Sequence, residues 1–336
     1  MTHEFKKIVQ ACEMAAREGK QVVLASVVAL EGSSYRRPGV RMLLLEDGGM
    51  TGAVSGGCVE KEIFRQSESV FRTGIPKMMT YDGRYRLGCE GILYILLEPF
   101  RPAKGWLDTF RACMEARDPF RLVSQFDAQH GSGEHYGSFF LYKGQKLPLR
   151  VGLEEMENLS KFEETLAPCF RLIILGAEHD VVQLCGYAAM TGWDVIVVAT
   201  PSEEKSPADF PGAAELHQTV PESWDPSGID SHTAVVLMTH SFVKDLKFLL
   251  ALKATEPAYL GLLGPAARRE KLLNEFLEHC PDVSDRFFEN IHGPAGLNIG
   301  AETPQEIAIS ILAEILSVVR GQKPMRLMHK KGAIHS

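Results

Sequence analysis

Phe170-Arg171-Leu172-Ile173-Ile174-Leu175-Gly176-Ala177-Glu178-His179-Asp180-Val181 is the stretch that decides the fold of this chain. A short apolar run closed by glycine predicts a buried strand, and residues 180–191 predict the helix that follows it. Gly192 then precedes a second apolar run, 194–199, so strand, helix and strand succeed one another as in a nucleotide-type unit. Downstream, 234–238 predicts a strand ending at Thr239-His240, 243–252 a helix, and 257–263 a strand before Gly264-Pro265 opens another helix. Such alternation predicts a mostly parallel sheet covered by helices. Thr303-Pro304-Gln305-Glu306 is the best helix start: Thr303 can cap free backbone donors, Pro304 suits the first turn, and Glu306 completes a capping box.

The turn after the first of these strands departs from a dinucleotide pattern. In GxGxxG the second glycine lets a pyrophosphate approach the backbone, but here Glu178 stands at that position and Val181 at the final glycine. The second strand ends in Ala199-Thr200 without an immediate acid for a ribose diol. These residues favour an architectural Rossmann unit and disfavour NAD(P).

Working back toward the N-terminus, apolar runs at 22–30, 40–45, 77–81 and 92–97 predict strands, and 5–16, 58–71 and 104–117 predict helices. Further strands are expected at 122–126 and 136–142, with 127–134 as a surface loop. Residues 152–165 contain five glutamates and no strand pattern, which places a domain boundary there. The expected fold is therefore α/β: a mixed α/β N-terminal domain over 1–150, an acidic connector over 151–168, a Rossmann-like C-terminal domain with a mostly parallel sheet over 169–321, and a flexible tail over 322–336. A length of 336 residues agrees with two cores. The net charge of -7 gives no global attraction to nucleic acid, so any anion site must be local. Seven cysteines without compact spacing predict reduced thiols. The first residues lack the apolar segment of a secretion signal and later apolar runs are too short to span a membrane, which predicts a cytoplasmic protein.

Three segments of the first half carry candidate chemistry. In Ser33-Ser34-Tyr35-Arg36-Arg37-Pro38-Gly39, Ser33 and Ser34 offer hydroxyls, and Arg36 or Arg37 can grip a phosphate or a polarised ring oxygen; a solvated turn is the plainer alternative. In Ser55-Gly56-Gly57-Cys58-Val59-Glu60, Cys58 stands at an expected helix start, where the positive helix end favours thiolate, although a packed thiol is equally open. In Leu87-Gly88-Cys89-Glu90-Gly91 the glycines permit either close backbone approach or a tight structural turn. The spacing of Cys58 and Cys89 is no metal-ligand pattern, so a metal site is not legible. In the second half, His240 stands at the carboxyl edge of a strand, with Asp245 placed either to orient it or to decorate a helix. Gly264 can expose backbone donors near Arg268 or Arg269, and the 293–300 segment could bring donors to an anion.

Residues 33–42, Ser55-Gly56-Gly57-Cys58-Val59-Glu60, Leu87-Gly88-Cys89, Thr239-His240, Tyr259-Leu260-Gly261-Leu262-Leu263-Gly264 and the long motif over 296–308 together resemble the XdhC/CoxI family of xanthine dehydrogenase accessory proteins. The resemblance runs from about residue 5 to 320. It implies a cytosolic chaperone that binds molybdenum cofactor (molybdopterin) as cargo, supports its sulfuration by a cysteine desulfurase and assists insertion into a xanthine dehydrogenase-type apoenzyme. By this resemblance Ser55, Gly56, Gly57, Cys58, Glu60 and Cys89 carry over as the cofactor-handling region, with Arg36 and Arg37 nearby. The chain departs from the family pattern at Glu178, Thr200 and Glu90. A maturation factor without catalysis is the favoured expectation; an NAD(P)-dependent oxidoreductase and an interaction module without cofactor are the alternatives, and a homodimer stays open.

Overall fold

In a computed structural model the described residues are 2–32, 37–55, 57, 59–85, 91–128 and 131–331. They form two compact units, Met1–Pro168 and Cys169–Ser336.

The first unit holds helices α1 (Thr2–Arg17), α2 (Glu60–Thr73) and α3 (Trp106–Glu115). Its strands are β1 (Val22–Glu31), β2 (Arg41–Leu45), β3 (Met50–Gly52), β4 (Lys77–Asp82), β5 (Ile92–Pro99), β6 (Phe120–Phe126), β7 (Gly131–Ser132), β8 (Gly137–Tyr142), β9 (Gln145–Pro148) and β10 (Ser160–Leu166). A six-stranded sheet has the order β3-β2-β1-β5-β4-β7 and a four-stranded sheet the order β10-β6-β8-β9; neighbouring strands in both run antiparallel. Strand β1 is apolar apart from Ser26 and its terminal Glu31 because both its faces are covered. Val23, Ala25 and Val27 pack with Ile63 and Val70 of α2, while Val22 and Leu24 join Phe5 and Ile8 of α1, Phe110 of α3 and Phe120 and Phe140 of the second sheet.

One polar layer interrupts this core. Glu98, fully buried on β5, accepts hydrogen bonds from the Ser138 amide (2.8 Å) and hydroxyl (2.5 Å), and Ser138 lies 2.7 Å from Ser124. Burial pushes the Glu98 carboxyl up, against the downward pull of Ser138 and of Arg150 and Arg41.

Two expectations are corrected here. The acidic stretch read as a connector contains β10, which pairs with β6 along its length from Ser160↔Phe126 to Leu166↔Phe120. Its charges disguised it: Lys161 and Glu163 are exposed, as an edge strand allows, and Glu164 turns inward to Arg41. The expected loop over 127–134 contributes the two-residue β7 on β4.

The second unit holds β11 (Arg171–Leu175), α4 (His179–Met190), β12 (Asp194–Ala199), β13 (Glu215–Gln218), β14 (Thr233–Leu237), α5 (Phe242–Leu252), β15 (Tyr259–Leu262), α6 (Ala266–His279), α7 (Asp285–Glu289), β16 (Ile291–His292) and α8 (Pro304–Val319). The sheet order is β13-β12-β11-β14-β15-β16, with all neighbours parallel. Counted from its own first strand this is the 3-2-1-4-5-6 order of dinucleotide-binding folds, and the order reverses between β11 and β14. Leu172, Ile174, Val195 and Val197 pack with α4 and α8 on one face; Ile173, Leu175, Val235 and Leu237 pack with α5 and α6 on the other. The α8 capping box forms as expected, with Thr303 Oγ1 accepting from the Glu306 amide and Glu306 accepting from the Thr303 amide. Strands β13 and β16, at the sheet's two edges, are too short to stand out in the sequence. Residues 321–329 are exposed and include a short 3-10 turn, Leu327–His329. Among the described residues no helix is long and apolar enough to cross a membrane.

Candidate functional site

The antiparallel register gathers the three motif-bearing connections. β1 runs out at Glu31, opposite Ile92 where β5 enters, and Asp82 at the end of β4 also faces Ile92. On the other side of β1, the first residue of β2, Arg41, faces Ser26, and Gly52 at the end of β3 faces Met42. The connections 32–40, 53–59 and 83–91 therefore all spring from the same end of the six-stranded sheet. Ser33, Ser34, Arg36, Gly56, Cys58 and Cys89 lie outside the described residues; the strand ends that carry them lie within.

Two of these connections have fixed roots. Arg37 is exposed, and its carbonyl accepts from the Val40 amide (3.4 Å). Gly39, at φ +99°, donates its amide to Val27 O (2.9 Å), and a Cβ there would stand 2.8 Å from the Glu164 carboxylate, so only glycine fits. Arg41 is buried and donates through Nη1 to Gly39 O (2.9 Å) and Glu164 Oε2 (2.7 Å). Its Nη2 is buried without a hydrogen-bond partner among the described residues.

Residues 55–60 are closed by a clasp. Glu60, in the first turn of α2, accepts from the Ser55 amide and hydroxyl, each at 2.6 Å, and Ser55 Oγ in turn accepts from the amides of Gly57 (3.1 Å) and Val59 (3.2 Å). Burial alone would push the Glu60 carboxyl up, but the Ser55 bonds hold it below the ordinary carboxylate value. Glu60 is thus a buried positioning group for the connection that contains Gly56 and Cys58.

In the second unit the strand order reverses between β11 and β14, and the residues that follow these strands meet there. Gly176, at φ +136°, lies so close to β14 that a Cβ would stand 2.4 Å from Met238 O. Chain packing accounts for this glycine. Asp245 is buried and does not face His240: it accepts from Thr239 Oγ1 (2.6 Å) and Arg268 Nη2 (2.6 Å). His240 instead places Nε2 2.9 Å from Oδ2 of Asp180, in the first turn of α4. It is exposed and holds a left-handed backbone, φ +55°, uncommon for a residue with a side chain. A cavity of about 200 Å³ adjoins it, lined by Met238, His240, Asp245, Leu263, Gly264, Pro265 and Arg268. The Arg268 side chain lies against Gly264, whereas Arg269 packs near Gly293.

One acidic group at the carboxyl end of the sheet escaped the sequence reading. No acid follows β12 directly, yet the chain turns through a 3-10 helix, Pro201–Glu203, and Glu203 folds back so that Oε2 accepts from the Thr200 amide at 2.7 Å. Lys244 Nζ bridges Glu203 Oε1 (2.8 Å) and Thr200 Oγ1 (3.0 Å). Burial raises the Glu203 carboxyl, but Lys244 and the Thr200 amide outweigh it and hold the group low. The legible signal was Thr200-Pro201-Ser202-Glu203, a capping-box spacing.

In the 293–300 segment, Gly296 donates its amide to Glu314 Oε2 (2.8 Å), which also accepts from Tyr259 Oη, and Ser310 Oγ donates to Leu297 O (2.6 Å). The Gly296 donor is therefore committed within the fold. Among the described residues no group of three or more His, Cys, Asp or Glu side chains could hold a metal ion. Burial pushes the thiols of Cys12, Cys113 and Cys185 up to about 12, 11 and 11.

Comparison with known proteins matches residues 172–315 to the XdhC Rossmann domain and residues 15–82 to the XdhC and CoxI family. The chain is similar to a probable xanthine dehydrogenase subunit of Bacillus subtilis (strain 168), 30% identical over 88% of this chain and 93% of that protein. It is also similar to the molybdenum cofactor insertion chaperone PaoD of Escherichia coli (strain K12), 28% identical over 95% of this chain and 90% of that one. A crystal structure of a xanthine dehydrogenase from Bacillus halodurans superposes with a TM-score of 0.76 at 27% identity, covering 94% of this chain and 97% of that chain.

Proposed function

The chain belongs to the XdhC and CoxI family, and from that premise we propose that it is an accessory chaperone that receives molybdenum cofactor, shelters it during sulfuration by a cysteine desulfurase and passes it to a xanthine dehydrogenase-type apoenzyme. The similarity to a cofactor insertion chaperone over nearly the whole of both chains supports the accessory role. The observation that carries the site assignment is the common origin of the connections 32–40, 53–59 and 83–91 at one sheet end.

The cargo combines a polar pterin, a phosphate and an oxidation-sensitive dithiolene. Arginines on one connection and thiols on the other two suit those parts, and they do so without a basic surface overall. Arg41, buried at the root of the 37–40 turn with its Nη2 unpartnered among the described residues, adds positive charge near that sheet end. In this reading Arg36 and Arg37 hold the phosphate and pterin oxygens, Cys58 and Cys89 approach the sulfur-bearing end, and Ser55 and Glu60 keep the Cys58 connection in place.

Anaerobic purification followed by native mass spectrometry and metal analysis tests this. Retained molybdopterin is expected in the wild type and its loss in Cys58→Ser and in the Arg36→Ala/Arg37→Ala double variant, with folding unchanged. Full retention in both variants, together with full activation of the apoenzyme, defeats the assignment.

A further inference from the structure

We infer that the exposed side of α8 and the segment that leaves it, residues 320–331, form a docking surface for the acceptor apoenzyme, fitted to an apolar groove rimmed by carboxylates. The inference rests on the accessory role proposed above. Apolar exposure is concentrated here: of fifteen large apolar side chains exposed among the described residues, eight lie between Ile299 and Met328. Scattered exposed side chains need no explanation, but a concentration of them marks a contact surface. Ile309 and Leu316 stand two turns apart on one side of α8, outside the row of Ala308, Ile311 and Ile315 that packs on the sheet, and Val318 and Val319 carry the exposure to the helix end. Helix α4, which packs beside α8, ends at Met190, 84% exposed. Beyond α8 the chain is held by its own backbone. Gly321, at φ +60°, ends the helix, and the Gln322 amide donates back to Ser317 O (2.8 Å). The 3-10 turn then closes with the His329 amide donating to Arg326 O (2.9 Å), and Leu327 and Met328 stay 63% and 79% exposed. Methionine suits such a surface because its unbranched chain adapts to what it meets.

Charge identifies the kind of partner. Residues 315–331 hold five Lys and Arg and no Asp or Glu, whereas the whole chain has 36 against 43. Among the described residues Arg320, Lys323 and Arg326 make no ion pair, while Lys244 and Arg268 of the same unit are paired. Those three cations are available to carboxylates of another protein, which would steer the encounter while the apolar side chains supply the contact. A second copy docked face to face would set the cations against one another. Nucleic acid is disfavoured because 315–331 has no Phe, Trp or Tyr to stack on bases. A membrane surface is disfavoured because binding there uses a continuous amphipathic helix, and Gly321, Pro324 and the 3-10 turn interrupt one.

Interferometry of the full chain against a molybdenum-free xanthine dehydrogenase-type apoenzyme from the same cells tests this. The wild type should bind with roughly micromolar affinity, and more weakly as salt rises. Lys323→Glu/Arg326→Glu and, separately, Leu327→Asp/Met328→Asp should each weaken binding about tenfold, with molybdopterin retention unchanged. The inference is overturned if the wild type does not bind the apoenzyme at micromolar concentration or if either variant binds it as the wild type does. It also fails if the variants lose self-association or binding to phosphatidylserine vesicles while apoenzyme binding is untouched, since the occupant is then a second copy or a membrane. The cargo reading is scored separately. Absence of molybdopterin from the wild type defeats that reading whatever the 320–331 variants do, and variants that bind apoenzyme normally while the wild type retains molybdopterin defeat the docking surface alone.

Discussion

At the loop end of the first sheet the backbone does the gathering, because five strand termini bring three connections together and buried groups such as Glu60 and Arg41 fix only their roots. In the second unit side chains do it: His240 to Asp180 and Lys244 to Glu203 join residues that follow β14 to residues that follow β11 and β12. The difference teaches where each site is vulnerable. A gathered set of connections keeps its fold when its tips are changed and loses it when its roots are, whereas two closely packed strands fail when they are forced apart.

The largest effect is expected from Gly176→Val. Its Cβ would stand 2.4 Å from Met238 O on a backbone at φ +136°, which should cost about 3 kcal/mol. Hydrogen exchange should show protection lost in β11 and β14 and kept in β1 and β5. Equal loss in both units would break the comparison.

A smaller effect separates two carboxylates of the first unit by the sign of their pH dependence. Glu60 is held low in the folded state, so its contribution is present above the ordinary carboxylate value and disappears as pH falls through its lower folded value. Glu98 is held high, so its contribution is complete below the ordinary value and disappears as pH rises through its folded value. Urea midpoints across pH should show Glu60→Gln flattening the acid side and Glu98→Gln the side above it, each by about 1–2 kcal/mol at most. Only Glu60→Gln should also reduce molybdopterin retention. The same pH profile for both variants would dissolve the distinction between root and core.

The smallest effect is an absence of reaction. Cys12, Cys113 and Cys185 are buried with raised thiols, so a disulfide reagent at neutral pH should leave them unmodified in the native chain. Peptide mass spectrometry reads this directly, and rapid labelling of Cys113 would show the first core to be open.

Much of the fold was legible because apolar runs such as 172–175 and 195–199 are buried on both faces and bounded by turn residues. The α8 start was legible for a local reason, since a capping box needs only four adjacent residues. What escaped was either charged or folded back. β10 hid because exposed Lys161, Glu163 and Thr165 alternate with half-buried Phe162 and Glu164, so only one inward residue of that run is apolar, and Glu203 hid because its place at the end of β12 depends on a turn that brings residue 203 to the amide of residue 200. Asp245 was weighed as a partner of His240 from spacing alone. Its actual partners, Thr239 and Arg268, come from the strand end and from another helix.

The position of β10 decides where this molecule can be cut. A fragment ending near residue 151 would bare the hydrogen-bonding edge of β6 from Phe120 to Phe126. It would also strand the guanidinium of Arg41 in the interior without Glu164, and an unpaired buried charge is strongly destabilising. A fragment ending at Pro168 keeps both. The stretch that looked like a dispensable tether is the last stave of the N-terminal unit, and dissection of the protein into working halves has to begin beyond it.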